Sequence, residues 1–459
     1  MVPPYQVASK TNGQSETVNA DPELPSNDLY GVYSIRRAMH DVLRCDSAES
    51  VRVLFDFFLE KNLVPRIIFG GLHWMRNTPV GTAAVLSYGI LAYCSVRKMG
   101  TGDAVTIALR DNEQGAIKSF KRDVPHQTWT DVSVNKKSGL WAIAKSILTA
   151  HAFRNVGNLR RSARIARRLI NRHGLFHAMR MIEAVFYYFR FIKTFRDDKF
   201  NYTVMSSAAN PHAIAFNLAA KRSGVRSVIV LHSMPTKTMG RLFYDLAIVE
   251  SDAAKQVYEQ EAAGVKQFIV KSSRPSYCPM QIPDQWSNLT AALFLSKDPQ
   301  EDVVRAILDS FLENGAAGRF LIRPHPANLD PGLRSRLTAS YGERVFFSSG
   351  GPAHDDIAQS DLIIAGNSGV HVEAVLRGKL SCFVADLDHS PFDLLGFVES
   401  GLIYHLKDLS AFEPKQVIEF YTAAGWQNAL RHYANIDQEP EEVAAAIRTA
   451  LRGALSGGG

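Results

Sequence analysis

Asp361-Leu-Ile-Ile-Ala-Gly-Asn-Ser-Gly-Val-His-Val-Glu-Ala-Val-Leu-Arg-Gly-Lys379 changes its period halfway along. Leu362–Ala365 is an apolar run of strand length, Gly366-Asn367-Ser368-Gly369 is turn chemistry, and Val370 to about Arg377 reads as a helix. Ser381–Ala385 then supplies a further apolar run. Strand, turn, helix and strand in this order predict a βαβ unit, whose strands run parallel.

The alternation extends in both directions. Upstream lie a strand at Ala291–Leu295, a helix at Glu301–Asn314, and strands at Phe320–Ile322 and Val345–Phe347. Further back, Lys271–Trp286 carries three prolines and little periodicity, the mark of a linker. Before it the pattern starts again, with strands at Ala104–Leu109, Tyr202–Ser206, Ser227–Leu231 and Asp245–Val249 and a helix over about His212–Arg222. Arg66–Gly71 reads as a strand before a Gly-Gly turn, and Pro79 opens an apolar helical stretch to about Val96. The fold class expected is therefore α/β, with two Rossmann-like doubly wound domains facing a cleft. The organisation expected is a lead-in over 1–30, a first domain over 31–271, a linker over 272–288, a second domain over 289–438, and a terminal helix and tail over 439–459.

Composition agrees with that class. A 459-residue chain that is 46% hydrophobic and 21% charged is neither wholly disordered nor a multi-spanning membrane protein. Asn77–Val96 is long enough to span a bilayer, but its Asn, Thr, Pro, Ser and Gly residues favour a buried helix packed on a sheet. Cys45, Cys94, Cys278 and Cys382 are scattered, which predicts neither a disulfide framework nor a zinc site. The first residues lack the basic start and apolar run of a signal peptide. The expected location is cytoplasmic.

Charge is concentrated rather than spread. The segment 136–199 holds fifteen Lys and Arg against three acidic residues, a balance of +12, while the whole chain carries +7. Arg160, Arg164, Arg167 and Arg168 fall on one helix face, and after a break at His173-Gly174 a second helix carries Met179, Ile182, Phe186, Phe189 and Ile192. This helical basic insert in the first domain is read either as a solvated face over an ordinary core or as a surface docking on anionic lipid head groups. No nucleic-acid signature accompanies it, so no nucleic-acid partner is expected.

Three stretches carry candidate chemistry. In Phe320-Leu-Ile-Arg-Pro-His-Pro326 a strand runs into Arg323, whose fork suits phosphate oxygens, and into His325, held between Pro324 and Pro326, which suits a phosphate or a proton transfer. Asn367, Ser368 and Gly369 close a strand–helix turn whose backbone can approach an anion, and Glu373 lies one helical turn further. His232 and Ser233 follow a strand of the first half. Asp111 and Glu113, at the end of another strand, read as candidates for a base or as surface loop carboxylates.

The strand into R-x-H-P, followed about 35 residues later by D-x6-S-G-V-x-x-E-A and a later G-K, resembles GT-B glycosyltransferases of bacterial surface polysaccharide synthesis. The closest resemblance is to capsule and lipopolysaccharide transferases with an HP motif, including Kdo- and sialyltransferases that use CMP-sugars. The layout is also similar to CDP-glycerol glycerophosphotransferases. The resemblance covers about Tyr202–Leu406. It implies that His325 and Pro326 meet the donor phosphate, that Ser368 and Gly369 do so from the other side, and that Glu373 meets the ribose. Leu380 stands where a proline is usual, Ser233 replaces the usual glycine, and eight residues after Glu373 stands Ser381 rather than a second glutamate, which favours an inverting enzyme.

The expectation is thus a glycosyltransferase passing sugar from a nucleotide-sugar donor, CMP-linked among the options, to a glycan or lipid-linked acceptor. His325, Asp111 and Glu113 are the catalytic candidates; Arg323, Pro326, Asn367, Ser368, Gly369, Glu373, His232 and Ser233 are the donor-binding ones. No metal and no cofactor are expected. Arg160, Arg164, Arg167 and Arg168 would hold the protein to the inner face of the membrane. The alternatives are polyol phosphotransfer, nucleotide-sugar epimerisation, and a non-catalytic subunit of a polysaccharide assembly complex.

Overall fold

The computed structural model describes residues 100–108, 111–132, 156–207, 210–231, 235, 244–261, 265–272, 277–296, 299–326, 330, 332–388, 392–410 and 412–456, with nine isolated positions between 78 and 96. The lead-in over 1–30, the strand expected at Arg66–Gly71, and His232 and Ser233 lie outside the described residues.

Two six-stranded sheets account for the architecture. The first contains β1 (Ala104–Ile107), β2 (Trp129–Val132), β3 (Tyr202–Met205), β4 (Arg226–Val230), β5 (Leu246–Val249) and β6 (Gln267–Val270), in the order β2-β1-β3-β4-β5-β6. Its helices are α1 (Asp111–Asp123), α2 (Val156–Asp197), α3 (Pro211–Arg222) and α4 (Asp252–Glu261). The second contains β7 (Thr290–Phe294), β8 (Arg319–Arg323), β9 (Val345–Phe347), β10 (Leu362–Ala365), β11 (Leu380–Phe383) and β12 (Tyr404–His405), in the order β12-β11-β10-β7-β8-β9. Its helices are α5 (Glu301–Glu313), α6 (Leu333–Tyr341), α7 (Ala353–Ala358) and α8 (Val370–Leu376), followed by α9 (Pro414–Thr422), α10 (Trp426–Ala434) and α11 (Pro440–Ser456). Among the described residues, every pairing of these strands is parallel. Central strands such as β7 and β10 are buried along their whole length, which is why they read as continuous apolar runs. These are two Rossmann-like doubly wound sheets, the GT-B fold class the sequence predicts.

The strand order reverses once in each sheet, between β1 and β3 in the first and between β7 and β10 in the second. Open α/β sheets bind ligands outside the carboxyl ends of the strands at such a reversal.

The basic segment departs from expectation. Residues 156–197 form one continuous helix of 42 residues, with no break at His173-Gly174. A glycine inside a helix costs about 1 kcal/mol, and here packing offsets it. Phe191 meets Phe216 of α3 edge to face at 5.0 Å, and Met181, Ile182, Tyr187 and Tyr188 are buried. The described positions from Thr82 to Ser95 are helical and meet α2: a Cβ on Gly89 would stand 2.6 Å from Ile182 and Phe186, and Arg190 holds the Val96 carbonyl. Among the described residues, no helix is long and apolar enough to cross a membrane.

The last helix belongs with the first sheet. Val443, Ile447 and Leu451 of α11 join Ile117 and Phe120 of α1 over Val204, Val228 and Ile248 in one core. The amphipathic pattern of this segment is visible in sequence, but the sheet it covers is not. Between the two sheets the chain leans on the second: Cys278 N–H donates to Leu376 O (2.7 Å) and Gln281 N–H to Gly378 O (2.7 Å). Gly378 has φ +71°, and a Cβ there would strike the Pro279 carbonyl, so both backbone conformation and close approach require glycine.

Candidate functional site

Strand register brings the second half's motifs to one edge. Arg323, Phe294, Ala365, Phe383 and His405 are register partners in succession across β8, β7, β10, β11 and β12. His325 therefore follows β8 by two residues, and Gly366–Gly369 follows β10, with β7 between them. At strand spacing of about 4.8 Å, β8 and β10 lie about 10 Å apart. Both motifs thus flank β7 beside the reversal point of the sheet.

Arg323 plays a different part from the phosphate fork expected of it. One of its guanidinium nitrogens pairs with Asp356 of α7, which is 3% exposed, and the other donates to Gly351 O (2.7 Å). Ser348 also donates to Asp356 (2.7 Å), so the arginine is bound into the loop after β9 as a strut. A charge pair this buried is costly to break, because the partner left behind stays desolvated. His325 and Pro326, two and three residues further on, are exposed.

The glycine turn is bound from three sides. A Cβ on Gly366 would run into the Asp388 carboxylate, which accepts the Asn367 N–H. Asn367, expected at the donor, spends its side chain on the loop after β11: Nδ2 donates to Phe392 O (2.9 Å) and Oδ1 accepts the Leu394 N–H (2.8 Å). Beneath the turn, fully buried His371 bridges Gly366 O (2.9 Å, Nε2) and Ser381 Oγ (2.7 Å, Nδ1). A carbonyl only accepts, so Nε2 carries a proton, while the Ser381 hydroxyl can serve either state of Nδ1. Burial drives its pKa down to about 4. Asp388 and His371 went unnoticed in sequence, since each acts through a partner far along the chain or hidden in a helix.

Ser368 is half-buried, with Oγ accepting the Val370 N–H (3.4 Å), and Gly369 is exposed. Glu373 is half-buried on α8 and makes no ion pair or hydrogen bond with the described residues. Beyond the turn, a cavity of about 270 Å³ is lined by Asp302, Asp386, His405 and Lys407 at the ends of β11 and β12. Burial, with Lys407 alongside, lowers the His405 imidazole below its ordinary value.

The first half contributes less. Asp111 and Glu113 stand at the start of α1, after β1 at its own reversal point, and not in a surface loop. Glu113 is 2% exposed, turned into the core, while nothing is described of the Asp111 side chain. Arg167 and Arg168 of α2 are exposed, whereas the side chains of Arg160 and Arg164 lie outside the described residues.

No family model and no curated protein sequence matches the chain. Solved structures do. The glycosyltransferase of kitacinnamycin is similar at 10% identity over 77% of this chain and 100% of that one, with a TM-score of 0.47. The glycosyltransferase SnogD from Streptomyces nogalater is similar at 14% identity over 75% and 99%, with a TM-score of 0.43. A UDP-N-acetylglucosamine 2-epimerase from Listeria monocytogenes is similar at 12% identity over 78% and 97%, with a TM-score of 0.42. At such distances the likeness concerns the fold alone.

Proposed function

We propose that this chain is a glycosyltransferase that grips a nucleotide-sugar donor at the carboxyl ends of β8 and β10 and passes its sugar to an acceptor hydroxyl. The observation that carries the reading is the placement of His325 and the Gly366–Gly369 turn on either side of β7 at the strand-order reversal. In this reading the donor phosphate lies between exposed His325 and Gly369, with Pro326 fixing the backbone and Ser368 offering its hydroxyl. Glu373, unengaged by the described residues, accepts a ribose hydroxyl. Arg323 holds the strand exit in place from behind.

Transfer is a single displacement. The acceptor oxygen bonds to the anomeric carbon, the bond from that carbon to the phosphate oxygen breaks, and its electron pair leaves with the phosphate. Asp111, at the reversal point of the first sheet, takes the acceptor proton, and configuration inverts. Glu113 is withdrawn from this role by its burial. The acceptor class is a surface-polysaccharide or lipid-linked glycan, and exposed Arg167 and Arg168 support docking at an anionic membrane face from the cytoplasmic side.

A thermal-shift panel with CMP, CDP, UDP, GDP and dTDP, repeated on His325→Ala, tests the reading. A nucleotide at about 100 times its Kd adds about 2.7 kcal/mol of stability. One nucleotide is expected to raise the melting temperature of the wild type and to lose that effect in the variant. A flat response across the panel rejects a donor site here.

A further inference from the structure

Phe392 has 66% of its surface open, more than any other large hydrophobic side chain among the described residues. A lone exposed phenylalanine on a loose loop would need no account. This one is held in place. The Asn367 carboxamide takes the carbonyl of Phe392 itself and the N–H of Leu394, fastening the backbone that follows the ring to the glycine turn. Asp393, next in the chain, accepts N–H groups from Phe397 (3.0 Å), Val398 (2.7 Å) and Glu399 (3.1 Å). Asn367 is fixed in its turn by Asp388 at its own N–H. An apolar ring is therefore kept in water, on a tied backbone, one side chain's reach from the turn that the proposed function assigns to phosphate.

We infer that Phe392 is a stacking platform, taking the apolar face of a ring carried on the phosphate held at Gly366–Gly369. The inference rests on that assignment of the turn. An aromatic face accepts either of the rings such a ligand offers. A nucleobase lays its π-face on it, and a pyranose lays down its C–H face. Both sit close to a phosphate in a nucleotide-sugar. Asn367, expected to bind the donor directly, acts here through Phe392 and is a positioning residue.

The test is calorimetric titration of wild type, Phe392→Ala, Phe392→Trp and His325→Ala with inorganic pyrophosphate, glucose 1-phosphate, CMP, CDP, UDP, GDP and dTDP. Phe392→Ala is expected to weaken the ring-bearing ligands about tenfold and to leave pyrophosphate unchanged, because base–aromatic stacking alone is worth about that much. Phe392→Trp is expected to keep the affinity and to report binding by a change in its fluorescence. A loss confined to the nucleotides assigns the ring to the base; a loss shown by glucose 1-phosphate assigns it to the sugar. If Phe392→Ala binds every probe as the wild type does while His325→Ala has lost them, the platform is wrong and the phosphate site stands. If the wild type binds none of the probes, the phosphate site falls and the platform with it.

Discussion

His371 links two strands' worth of structure without ever needing a charge. Its Nε2–H holds the Gly366 carbonyl and its Nδ1 takes the Ser381 hydroxyl, with the rings of Phe383 and Phe397 about 6 Å away. The folded pKa of about 4 lies below the ordinary value of 6.5, so the unfolded chain takes up the extra proton first as pH falls. Stability from this residue is complete above pH 6.5 and declines as pH drops from 6.5 towards 4. A shift of that size corresponds to about 3 kcal/mol. Urea unfolding of wild type is expected to show that decline, and His371→Gln, which does not titrate, to show a flatter profile over the same range. Equal slopes would remove the assignment. The glycine turn above His371 was legible because glycine and serine between an apolar run and a helix have few other uses. The histidine was not, because a buried helix face hides which of its side chains bonds to what. Arg323 misled for the related reason that its partner, Asp356, sits on a six-residue helix whose pattern is too short to read.

Among the elements, central strands were legible, and of the edge strands only the apolar β9 was. The apolar runs of β3, β4, β7 and β10 announce themselves because both faces are covered. β2, β6 and β12 stand at sheet edges, alternate or stop after two residues, and carry Asp131, Gln267 and Tyr404. In α2 the sequence pattern suggested two helices where tertiary contact with α3 sustains one. The terminal helix α11 bears on stability through the first sheet. Three of its side chains, Val443, Ile447 and Leu451, are buried against the first sheet, and full burial of each contributes about 1.5–3 kcal/mol. Ile447→Asp puts a carboxylate where exposure is nil, so a loss of about 4 kcal/mol or more is expected in chemical denaturation. Thr449→Asp, at an exposed position of the same helix, is the control and is expected to change little. Comparable losses in both would mean that the helix does not depend on this contact.

Across the whole molecule the chain passes from the first sheet to the second and then back again. At the return, Asn435, with φ +48°, exchanges two hydrogen bonds with Asp252 of α4 (3.0 and 3.1 Å). Gln438 bridges Val270 O and Ser272 N–H, and Lys271 pairs with Asp123 of α1 while Arg448 of α11 holds the Asp123 carbonyl. The chain that leaves the second sheet is therefore tied into the first, and calorimetry is expected to record one unfolding transition with matching calorimetric and van't Hoff enthalpies. Two resolved peaks would contradict that coupling. The class of this architecture was legible from the repeated alternation, whereas the return of the last helix was not, because an amphipathic face states only that something apolar lies beneath it. That return bears on synthesis. A ribosome that has delivered β1 through β6 has made every described strand of the first sheet and α1 over part of one flank, yet that flank still lacks Val443, Ile447 and Leu451. About 170 residues separate Val270 from Val443, so the nascent first half must wait with part of its core open while the second half is built. Folding of the first half during synthesis is thus left incomplete, and any holdase that attends its birth has the α11-shaped gap beside α1 to guard until that helix arrives.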